Sequence, residues 1–397
     1  MRFSRRTDWN TEESELARAH RLRVEAGLPI ADLTASNPTR CGFAYDRDLL
    51  AALSDPQALD YDPQPRGSLR GREAVCAYYA EHGAAVRPEQ IVLTTSTSEA
   101  YSYLFRLLCD PGSEILVAHP GYPLFDFLAV LDDVRLKAAP LVYDQGWQID
   151  PEGFRRAITA ETRAIVLVHP NNPTGHFTKP WEAEELARMC REREVSLIVD
   201  EVFLDYGFSR GTVGGGWSFA LGLEGVQVFV VSGLSKIAGL PQMKAAWMVA
   251  TGLGSASALD RLEVIADTFL SMNAPVECAL PKWLEGRGAI EEQIRARLVA
   301  NLAELDRQLE RLPMVRRLEV EGGWYAVLRI PALRPDEQTA LALLERGVLV
   351  HPGYFFGMAE SGWLVVSLLG PEGEFSTGVT GLVDYFRTHQ GGNSTRF

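Results

Sequence analysis

Residues 227–249 read QVFVVSGLSKIAGLPQMKAAWMV, and this stretch guides the interpretation of the whole chain. The apolar run at residues 228–231 ends in a short polar segment that contains Lys236, and a second apolar run follows at residues 245–250. Burial at the end of a strand disfavours the charged form of a lysine and lowers its pKa. A neutral amine can attack a carbonyl carbon and form a Schiff base. The stretch therefore predicts a strand that presents Lys236 as a nucleophile.

The composition is that of an ordinary globular protein. Of its 397 residues, 46% are hydrophobic and 23% are charged, which suffices for a large core and more than one domain. A formal net charge of -13 argues against nucleic acid or an anionic membrane as the main partner. We expect no membrane association, because we find neither a secretory signal nor an uncharged run long enough to span a bilayer.

The cysteines indicate a reducing environment. All 5 are widely spaced among apolar neighbours, without a CxxC pair. They resemble reduced core residues of a cytoplasmic protein. Since the sequence also lacks a histidine cluster of metal-ligand spacing, we predict no metal site.

Strand and helix signals alternate through the middle of the chain. We predict strands, separated by helical segments, at residues 91–93, 114–118, 164–168, 196–199 and 226–231. Continuous apolar strands indicate a mostly parallel sheet covered by helices on both faces. After a long helical region from about residue 258, shorter strands are predicted at residues 315–320, 324–330, 348–350 and 363–368. The predicted fold class is α/β, a large domain with such a sheet plus a smaller α+β domain.

Polar residues follow the predicted strands of the large sheet. They are Thr95 to Ser98, Tyr122, Asn172, Asp200 and Lys236. Each has an ordinary explanation, and for Ser98 with Glu99 the alternative to phosphate binding at a helix N-terminus is simple helix capping. Ligands of parallel sheets bind at the carboxyl ends of the strands, however. The convergence of these complementary residues on one edge predicts a binding site there.

Eight short motifs occur in a recognisable order. They are Ser36-Asn37-Pro38, the Tyr61 loop, Ser96-Thr97, Pro120-Gly121-Tyr122-Pro123, Asn172-Pro173-Thr174-Gly175, Asp200-Glu201, Ser235-Lys236 and Gly239-Leu240-Pro241. In order and spacing they resemble the class I and II aminotransferases, the fold type I pyridoxal-phosphate enzymes. The resemblance extends from about residue 30 to about residue 385 and implies pyridoxal 5'-phosphate as the cofactor.

The resemblance implies a role for each matching residue at the cofactor ring. Lys236 would form the internal aldimine and then move a proton between the substrate Cα and the cofactor. Asp200 would pair with the pyridine nitrogen and keep it protonated. Asn172 would donate a hydrogen bond to the phenolic oxygen, and Tyr122 would stack on the ring.

The resemblance also implies a phosphate site at a helix N-terminus. Ser96 and Thr97, together with Ser235 or Ser232, would hold the phosphate there. Lys244 stands where the family normally has an arginine that grips the phosphate. It keeps the positive charge but loses the bidentate geometry of a guanidinium group.

Other matches concern the substrate and a second subunit. Tyr61 is implied to reach the phosphate of the other subunit, so a homodimer is expected. Ser36, Asn37 and Asn172 are implied to bind the substrate. The expected partners are therefore an amino donor, a 2-oxo acid acceptor and a second copy of the chain.

Two further positions depart from the family pattern. Phe203 stands where a tyrosine usually donates to the phenolic oxygen, so the pKa of the aldimine is expected to be higher than usual. Val365 stands where an arginine normally binds the substrate α-carboxylate, although apolar strand core is the simpler interpretation of this valine. A carboxylate buried without a partner costs several kcal/mol. Either the substrate lacks that carboxylate or another cation reaches it, such as Arg329, Arg66 or Arg40.

The predicted function is a pyridoxal-phosphate-dependent aminotransferase that transfers an amino group between an amino acid or amine and a 2-oxo acid through the Lys236 aldimine. The alternatives are a lyase, decarboxylase or oxidase-like enzyme with the same cofactor, or a non-catalytic pyridoxal-phosphate-binding protein. We expect residues 1–44 to pack with the small domain, residues 45–275 to form the large cofactor-binding domain and residues 276–397 to form the small domain.

Overall fold

The structure, a computed structural model, describes residues 2–208 and 216–390. The helices of these ranges are α1 Glu15–Glu25, α2 Asp48–Ala51, α3 Leu69–Glu81, α4 Thr97–Leu108, α5 Leu124–Leu131, α6 Pro151–Ala157, α7 Pro180–Arg193, α8 Leu234–Ile237, α9 Ser255–Phe269, α10 Ala274–Glu285, α11 Gly288–Leu309, α12 Asp336–Glu345 and α13 Glu372–Gln390. The strands are β1 Ala31–Asp32, β2 Ile91–Thr94, β3 Glu114–His119, β4 Arg135–Tyr143, β5 Trp147–Ile149, β6 Thr162–Val168, β7 Ser196–Asp200, β8 Gln227–Gly233, β9 Ala246–Gly252, β10 Arg316–Arg317, β11 Tyr325–Arg329, β12 Val348–Leu349, β13 His351–Pro352 and β14 Trp363–Ser367.

The largest sheet has eight strands in the order β2-β9-β8-β7-β6-β3-β4-β5. Neighbours from β8 to β4 are parallel, whereas β9 is antiparallel to both β2 and β8, and β5 is antiparallel to β4. All five residues of β7 are buried, as expected for a strand covered on both faces. The prediction of an α/β fold with a mostly parallel sheet flanked by helices is confirmed.

A second, four-stranded antiparallel sheet has the order β10-β11-β14-β13. The N-terminal segment joins this part of the molecule, because β1 pairs in parallel with β12. The amide of Leu33 donates to the carbonyl of Leu349 at 2.9 Å, and Leu33 in turn accepts from the amide of Ser367 at 2.7 Å. The proposed domain boundaries after residues 44 and 275 stay a prediction.

The sequence prediction differs from the structure in two places. The strand predicted at residues 315–320 is wrong in length, since only Arg316–Arg317 is strand. Beyond it the amide of Leu318 still bonds Val327, but the backbone of Glu321 pairs with Gly175 and Phe208, which lie outside this sheet. The excursion after α5 contains β4 and β5, which the prediction missed. β4 is half exposed and contains Pro140, so its pattern does not indicate a buried strand.

Two properties of the described ranges bear on membranes and cysteines. Within residues 2–208 and 216–390, none of the helices combines the length and apolar character that a membrane-spanning segment needs. All five cysteines lie in these ranges and are free thiols.

Candidate active site

The predicted polar clusters converge at one edge of the eight-stranded sheet. Asp200 is the last residue of β7 and pairs in register with Val168 of β6 and Val231 of β8. The three central parallel strands therefore end at the same level, and the loop after β6 carries Asn172 while α8, after β8, carries Lys236. The sheet thus brings together side chains that are far apart in the sequence.

A cavity of about 280 Å³ lies at this edge. It is lined by the predicted site residues Ser36, Ser96, Thr97, Tyr122, Asn172, Asp200, Ser235, Lys236 and Lys244. Tyr325, the first residue of β11, also lines the cavity. The cavity therefore lies between the large sheet and the strands of the second sheet.

Lys236 is half-buried beside aromatic rings. Its Nζ lies 4.9 Å from the centroid of the Trp324 ring and 5.8 Å from that of Phe203. Burial lowers the pKa of Lys236 to about 8, although the negative charge of Asp200 acts in the opposite direction. The hydroxyl of Tyr206 donates to the backbone carbonyl of Lys236 at 2.7 Å and fixes the turn that carries the amine. The geometry thus provides a held amine that is readily deprotonated.

Asp200 faces the same cavity with both carboxylate oxygens bonded. Oδ1 accepts from the amide of Val202 at 3.0 Å, and Oδ2 accepts from the hydroxyl of Tyr101 at 3.0 Å. Burial raises the pKa of Asp200 to about 6, and the two donors and the charge of Lys236 counteract this rise. The site therefore holds a buried carboxylate that a cationic ring nitrogen would keep ionised.

The turn between β2 and α4 serves as both a helix cap and a wall of the cavity. The Ser96 side chain caps α4 by accepting from the amide of Glu99 at 3.1 Å, and the Glu99 carboxylate accepts from the amide of Thr95 at 2.8 Å. The helix is thus capped by Ser96 and not by Ser98, and this capping does not exclude phosphate binding at the same turn. The amides of the first helical turn have no partner within the helix and carry partial positive charge. Since Ser96, Thr97 and Ser98 line the cavity, an anion fits there.

Asn172 supplies an unsatisfied polar group. Its Oδ1 atom is buried and has no hydrogen-bond partner, so it can accept a hydrogen bond from a donor group of a ligand in the cavity. The NPTG turn that holds it needs glycine, because Gly175 has φ +70° and a Cβ there would collide with Val320 and Gly322. Pyridoxal phosphate has an aldehyde, a ring nitrogen, a phenolic oxygen and a phosphate. The amine, carboxylate, amide and helix N-terminus of this cavity fit those four groups.

Comparison with known proteins identifies the family. The model of the family described as "Aminotransferase class I and II" matches residues 47–380. The chain belongs to the class I and II aminotransferases. It is therefore a pyridoxal-phosphate-dependent transferase of amino groups, with an amino acid and a 2-oxo acid as the general classes of substrate.

Relatives of this aminotransferase have related activities. It is 28% identical over 359 residues to the alanine aminotransferase of Mycobacterium tuberculosis, with 85% of this chain and 81% of the relative covered. It is also 28% identical over 355 residues to the glutamate-pyruvate aminotransferase AlaA of Escherichia coli, covering 86% of each. The solved alanine aminotransferase of Pyrococcus furiosus has a TM-score of 0.88 at 22% identity, covering 98% of this chain and 100% of the other. That structural likeness shows the fold.

Two predicted site residues of the aminotransferase do not line the cavity. The Tyr61 side chain is 83% exposed and lies in a neighbouring groove with Leu270. The Asn37 carboxamide oxygen accepts from the amide of Thr39 at 3.1 Å and from its hydroxyl at 2.8 Å. Asn37 therefore caps a local turn, and within this chain the cavity is built without Tyr61.

Val365 is part of the core of the second sheet. It is fully buried in β14 and pairs with Val327 of β11 and His351 of β13. It does not line the cavity. The simpler interpretation of Val365 as apolar strand core is thus the one that the structure supports.

None of the three arginines suggested as substitutes lines the cavity. The Arg329 guanidinium stacks 4.3 Å from the ring centroid of Trp363. Arg66 forms an ion pair with Glu263 at 2.6 Å, and Arg40 is exposed after a short turn. In the described part of the chain, the cationic side chains that line the cavity belong to two lysines. No group of three or more potential metal ligands occurs there either.

Three aromatic residues around the site were not predicted from the sequence. Tyr101 bonds Asp200, Trp324 lies beside Lys236, and Tyr325 lines the cavity. A strand was predicted at residues 324–330, but nothing in its pattern distinguished a ring facing a cavity from a ring in the core. Tyr101 lies within an amphipathic helix, where an aromatic residue is ordinarily core.

Proposed function

We propose that this aminotransferase carries pyridoxal 5'-phosphate on Lys236 and transfers an amino group between an amino acid or amine and a 2-oxo acid. This proposal rests on the half-buried amine of Lys236, which lines the same cavity as Asp200 at the edge where the parallel strands end. When bound, the cofactor supplies an electrophilic carbon and an electron sink for the transferred amino group. The remaining chemistry comes from residues of the chain.

Lys236 is proposed to act on protons as well as to hold the cofactor. A lysine with a pKa of about 8 exchanges its proton near neutral pH, which suits a group that accepts and returns a proton at the substrate Cα. The rings of Trp324 and Phe203 cover the amine and limit its contact with water. Such a dry site strengthens each electrostatic interaction within it.

The other lining residues are proposed to orient the cofactor. Asp200 would hold the protonated ring nitrogen, and the Nδ2 group of Asn172, which lines the same cavity, would donate a hydrogen bond to the phenolic oxygen. Tyr122 would cover the ring face. Because Phe203 has no hydroxyl, Asn172 would act there without the second donor that the family usually has.

The phosphate is proposed to bind at the N-terminus of α4. Ser96 and Thr97 lie at that terminus, and Ser235 and Lys244 line the same cavity. Lys244 lies just before β9, whose first residue pairs with the end of β2, so the loop brings its positive charge to the correct edge. We propose that Lys244 contributes one positive charge to phosphate binding, without the two parallel hydrogen bonds that an arginine would donate.

We assign contact with the amino substrate to Ser36 and Asn172, which both line the cavity. Asn37 was predicted to share this role, but its side-chain oxygen is bonded to Thr39, so its contribution would be to shape the turn next to Ser36. The names of the relatives suggest alanine, glutamate and aspartate as first amino donors to test.

A panel of amino donors tests the proposed reaction. Holoenzyme is mixed with single amino acids and simple amines, and the aminated cofactor and the carbonyl product are measured by absorbance and mass spectrometry. We expect at least one donor to give both products in equal amounts. Release of ammonia or carbon dioxide without aminated cofactor would contradict transfer and indicate elimination or decarboxylation instead.

We also propose that two copies of the chain form a homodimer in which Tyr61 completes the partner's site. Tyr61 does not line the cavity of its own chain. The groove that contains Tyr61 has polar and apolar residues, and in it Tyr61 is 83% and Leu270 41% exposed. Exposed apolar side chains grouped in this way favour a protein partner, and a symmetric dimer would cover both copies.

Mixing of two inactive variants tests this crossing. In a heterodimer of the two variants, the Lys236→Ala chain would supply its Tyr61 to the site of the Tyr61→Phe chain, which retains Lys236. We expect the mixture to recover activity that neither variant has alone. The matched control is Tyr61→Phe mixed with the double variant Lys236→Ala/Tyr61→Phe, which can form no intact site. If the first mixture gains no more activity than the control, the crossing is wrong.

We propose a cytoplasmic location, supported by five free cysteines with no disulfide among them. Fractionation of cells that express the tagged protein tests this. Recovery in the membrane or an exported fraction would contradict it.

A further inference from the structure

A buried tyrosine stands behind the carboxylate of the site. Tyr101 lies in the second turn of α4, is almost fully buried and donates its hydroxyl to Asp200 Oδ2 at 3.0 Å. The other carboxylate oxygen accepts from the amide of Val202 at 3.0 Å. Because one donor comes from a helix and the other from the chain that follows β7, the carboxylate cannot rotate without breaking a bond.

The ring of Tyr101 is fixed by its packing. It meets Phe125 edge to face at 5.0 Å between centroids and lies 6.1 Å from the centroid of Phe105. Phe125 in turn contacts Tyr122 edge to face at 5.9 Å. The hydroxyl is therefore held in place by apolar contacts that do not depend on its hydrogen bond. A phenylalanine would keep those contacts and remove the donor alone.

The phenol of Tyr101 is a donor over the whole working pH range. Burial, and then the negative charge of Asp200, raise the pKa of Tyr101 well above its usual value. The phenol therefore stays neutral and adds no negative charge beside Asp200. An amide or hydroxyl that donates to a carboxylate stabilises the charged form, and such charge-assisted bonds are stronger than neutral ones.

We infer that Tyr101 is a positioning residue that keeps Asp200 ionised and aimed at the ring nitrogen of the cofactor. Asp200 would touch the cofactor, and Tyr101 would act through Asp200 alone. Without the Tyr101 hydroxyl, only the amide of Val202 would counteract the effect of burial by hydrogen bonding. The pKa of Asp200 would therefore rise, and its carboxyl group would be protonated at higher pH. A neutral carboxyl group cannot pair with a protonated ring nitrogen.

The titratable groups whose charges act on Asp200 or respond to it come from several elements. They are Tyr79 of α3, Tyr101 of α4, Tyr122 before α5, Glu201 after β7 and Lys236 of α8. Glu201 and Lys236 titrate near pH 8, so the pH dependence of the wild type includes both. A matched control variant is therefore needed to isolate the effect of Tyr101.

Tyr103 provides that control. It lies on the same helix and is also buried, but its hydroxyl bonds Ser271 Oγ at 3.0 Å and has no bond to Asp200. Full-length Tyr101→Phe and Tyr103→Phe are stripped of cofactor and titrated with pyridoxal 5'-phosphate between pH 6 and pH 9. Binding is followed by the absorbance of the bound cofactor, and circular dichroism checks the fold.

We expect Tyr101→Phe to weaken cofactor binding about tenfold at pH 8, as for loss of one hydrogen bond to a charged group, and by more at pH 6. Tyr103→Phe should follow the wild-type curve within about twofold over the same range. An identical pH profile for the two variants would overturn the inference. So would a wild-type profile for Tyr101→Phe.

A double-mutant cycle separates positioning from general support of the fold. Tyr101→Phe is introduced into the Asp200→Asn variant, in which the carboxylate is already absent. We expect no further loss of cofactor affinity, because Tyr101 acts only through that carboxylate. A second, additive loss of about tenfold would show that Tyr101 supports the site in another way and would overturn the inference.

Discussion

The two ends of the cavity are built in different ways. At the cofactor end, Asp200 is buried and Lys236 is half-buried at the ends of central strands, against the ordinary preference of such groups for water. At the substrate end, the resemblance would place a carboxylate-binding arginine at position 365, but Val365 is packed as ordinary core and does not line the cavity. Burying a polar group is costly, so its presence at a strand end indicates function. A buried valine carries no such information, and the cofactor end is therefore much easier to interpret than the substrate end.

The largest expected effect is at the cofactor end. Lys236→Ala should lower kcat/KM for any accepted amino donor on the order of 1000-fold or more, because it removes both the attachment point and the proton carrier. The control is Lys137→Ala, which removes a lysine on β4 that is 3.8 Å from Glu114 and outside the cavity. If Lys236→Ala keeps more than about a tenth of wild-type activity, the cofactor end has been assigned incorrectly.

A second effect follows from the cost of burying Lys236. Its pKa is lowered from 10.5 to about 8, so below pH 8 the folded protein must bury a charge that the unfolded chain exposes. Lys236→Met should therefore stabilise the cofactor-free protein at pH 7 by about 3 kcal/mol, since the lowered pKa already includes the attraction to Asp200.

The sign of this effect can be checked by pH. Between pH 8 and pH 10.5 the folded amine is neutral while the unfolded one still binds a proton, so wild-type stability rises with pH and the advantage of the variant fades. Urea denaturation of cofactor-free protein at pH 7 and pH 10 measures both values. The prediction is wrong if Lys236→Met is no more stable than the wild type at pH 7, or if the difference in their free energies of unfolding grows at pH 10.

The polar residues at the cofactor end could be predicted from the sequence, but the aromatic residue that supports them could not. Lys236, Asp200 and Asn172 could be placed because each follows a continuous apolar strand, and parallel strands bring their carboxyl ends to one edge. Tyr101 could not be placed, because an aromatic residue in an amphipathic helix is ordinarily core, and its hydrogen bond depends on how α4 packs against β7. Tertiary packing decides this contact, and no local pattern indicates it.

The fold shows the same limit. The strands of the central parallel sheet were predicted because they are buried at nearly every position, as in β6 and β8. The half-exposed β4 with its Pro140 was missed, and the strand predicted at residues 315–320 was too long. After the short strand at residues 316–317, the backbone of Glu321 forms hydrogen bonds with Phe208 and Gly175. These contacts join distant parts of the chain, so the local sequence does not indicate them.

A smaller effect tests the substrate end. Val365→Thr keeps the shape of the side chain but places a hydroxyl in the core of the second sheet. We expect it to lower the free energy of unfolding by about 1–2 kcal/mol and to leave the KM for the amino donor within about twofold. Thermal unfolding and steady-state kinetics measure the two quantities. A tenfold change in KM without loss of stability would show that Val365 contacts the substrate.

The smallest expected effect concerns Lys244. Lys244→Arg would restore a bidentate group at the phosphate, so cofactor binding should tighten by about three- to tenfold. Equilibrium titration of the cofactor-free variant measures this change, with Lys282→Arg, a lysine of α10 outside the cavity, as the control. Equal affinities for the Lys244→Arg variant and the control would show that Lys244 does not bind the phosphate.

Chemical trapping shows directly whether Lys236 carries the cofactor. Holoenzyme is reduced with borohydride, digested and analysed by mass spectrometry to locate the lysine that bears the reduced pyridoxyl group. We predict that this group is found on Lys236 in the wild type and is absent from Lys236→Ala. A stoichiometric label on another lysine, such as Lys244, or the absence of any reducible cofactor from loaded wild-type protein, would contradict the account.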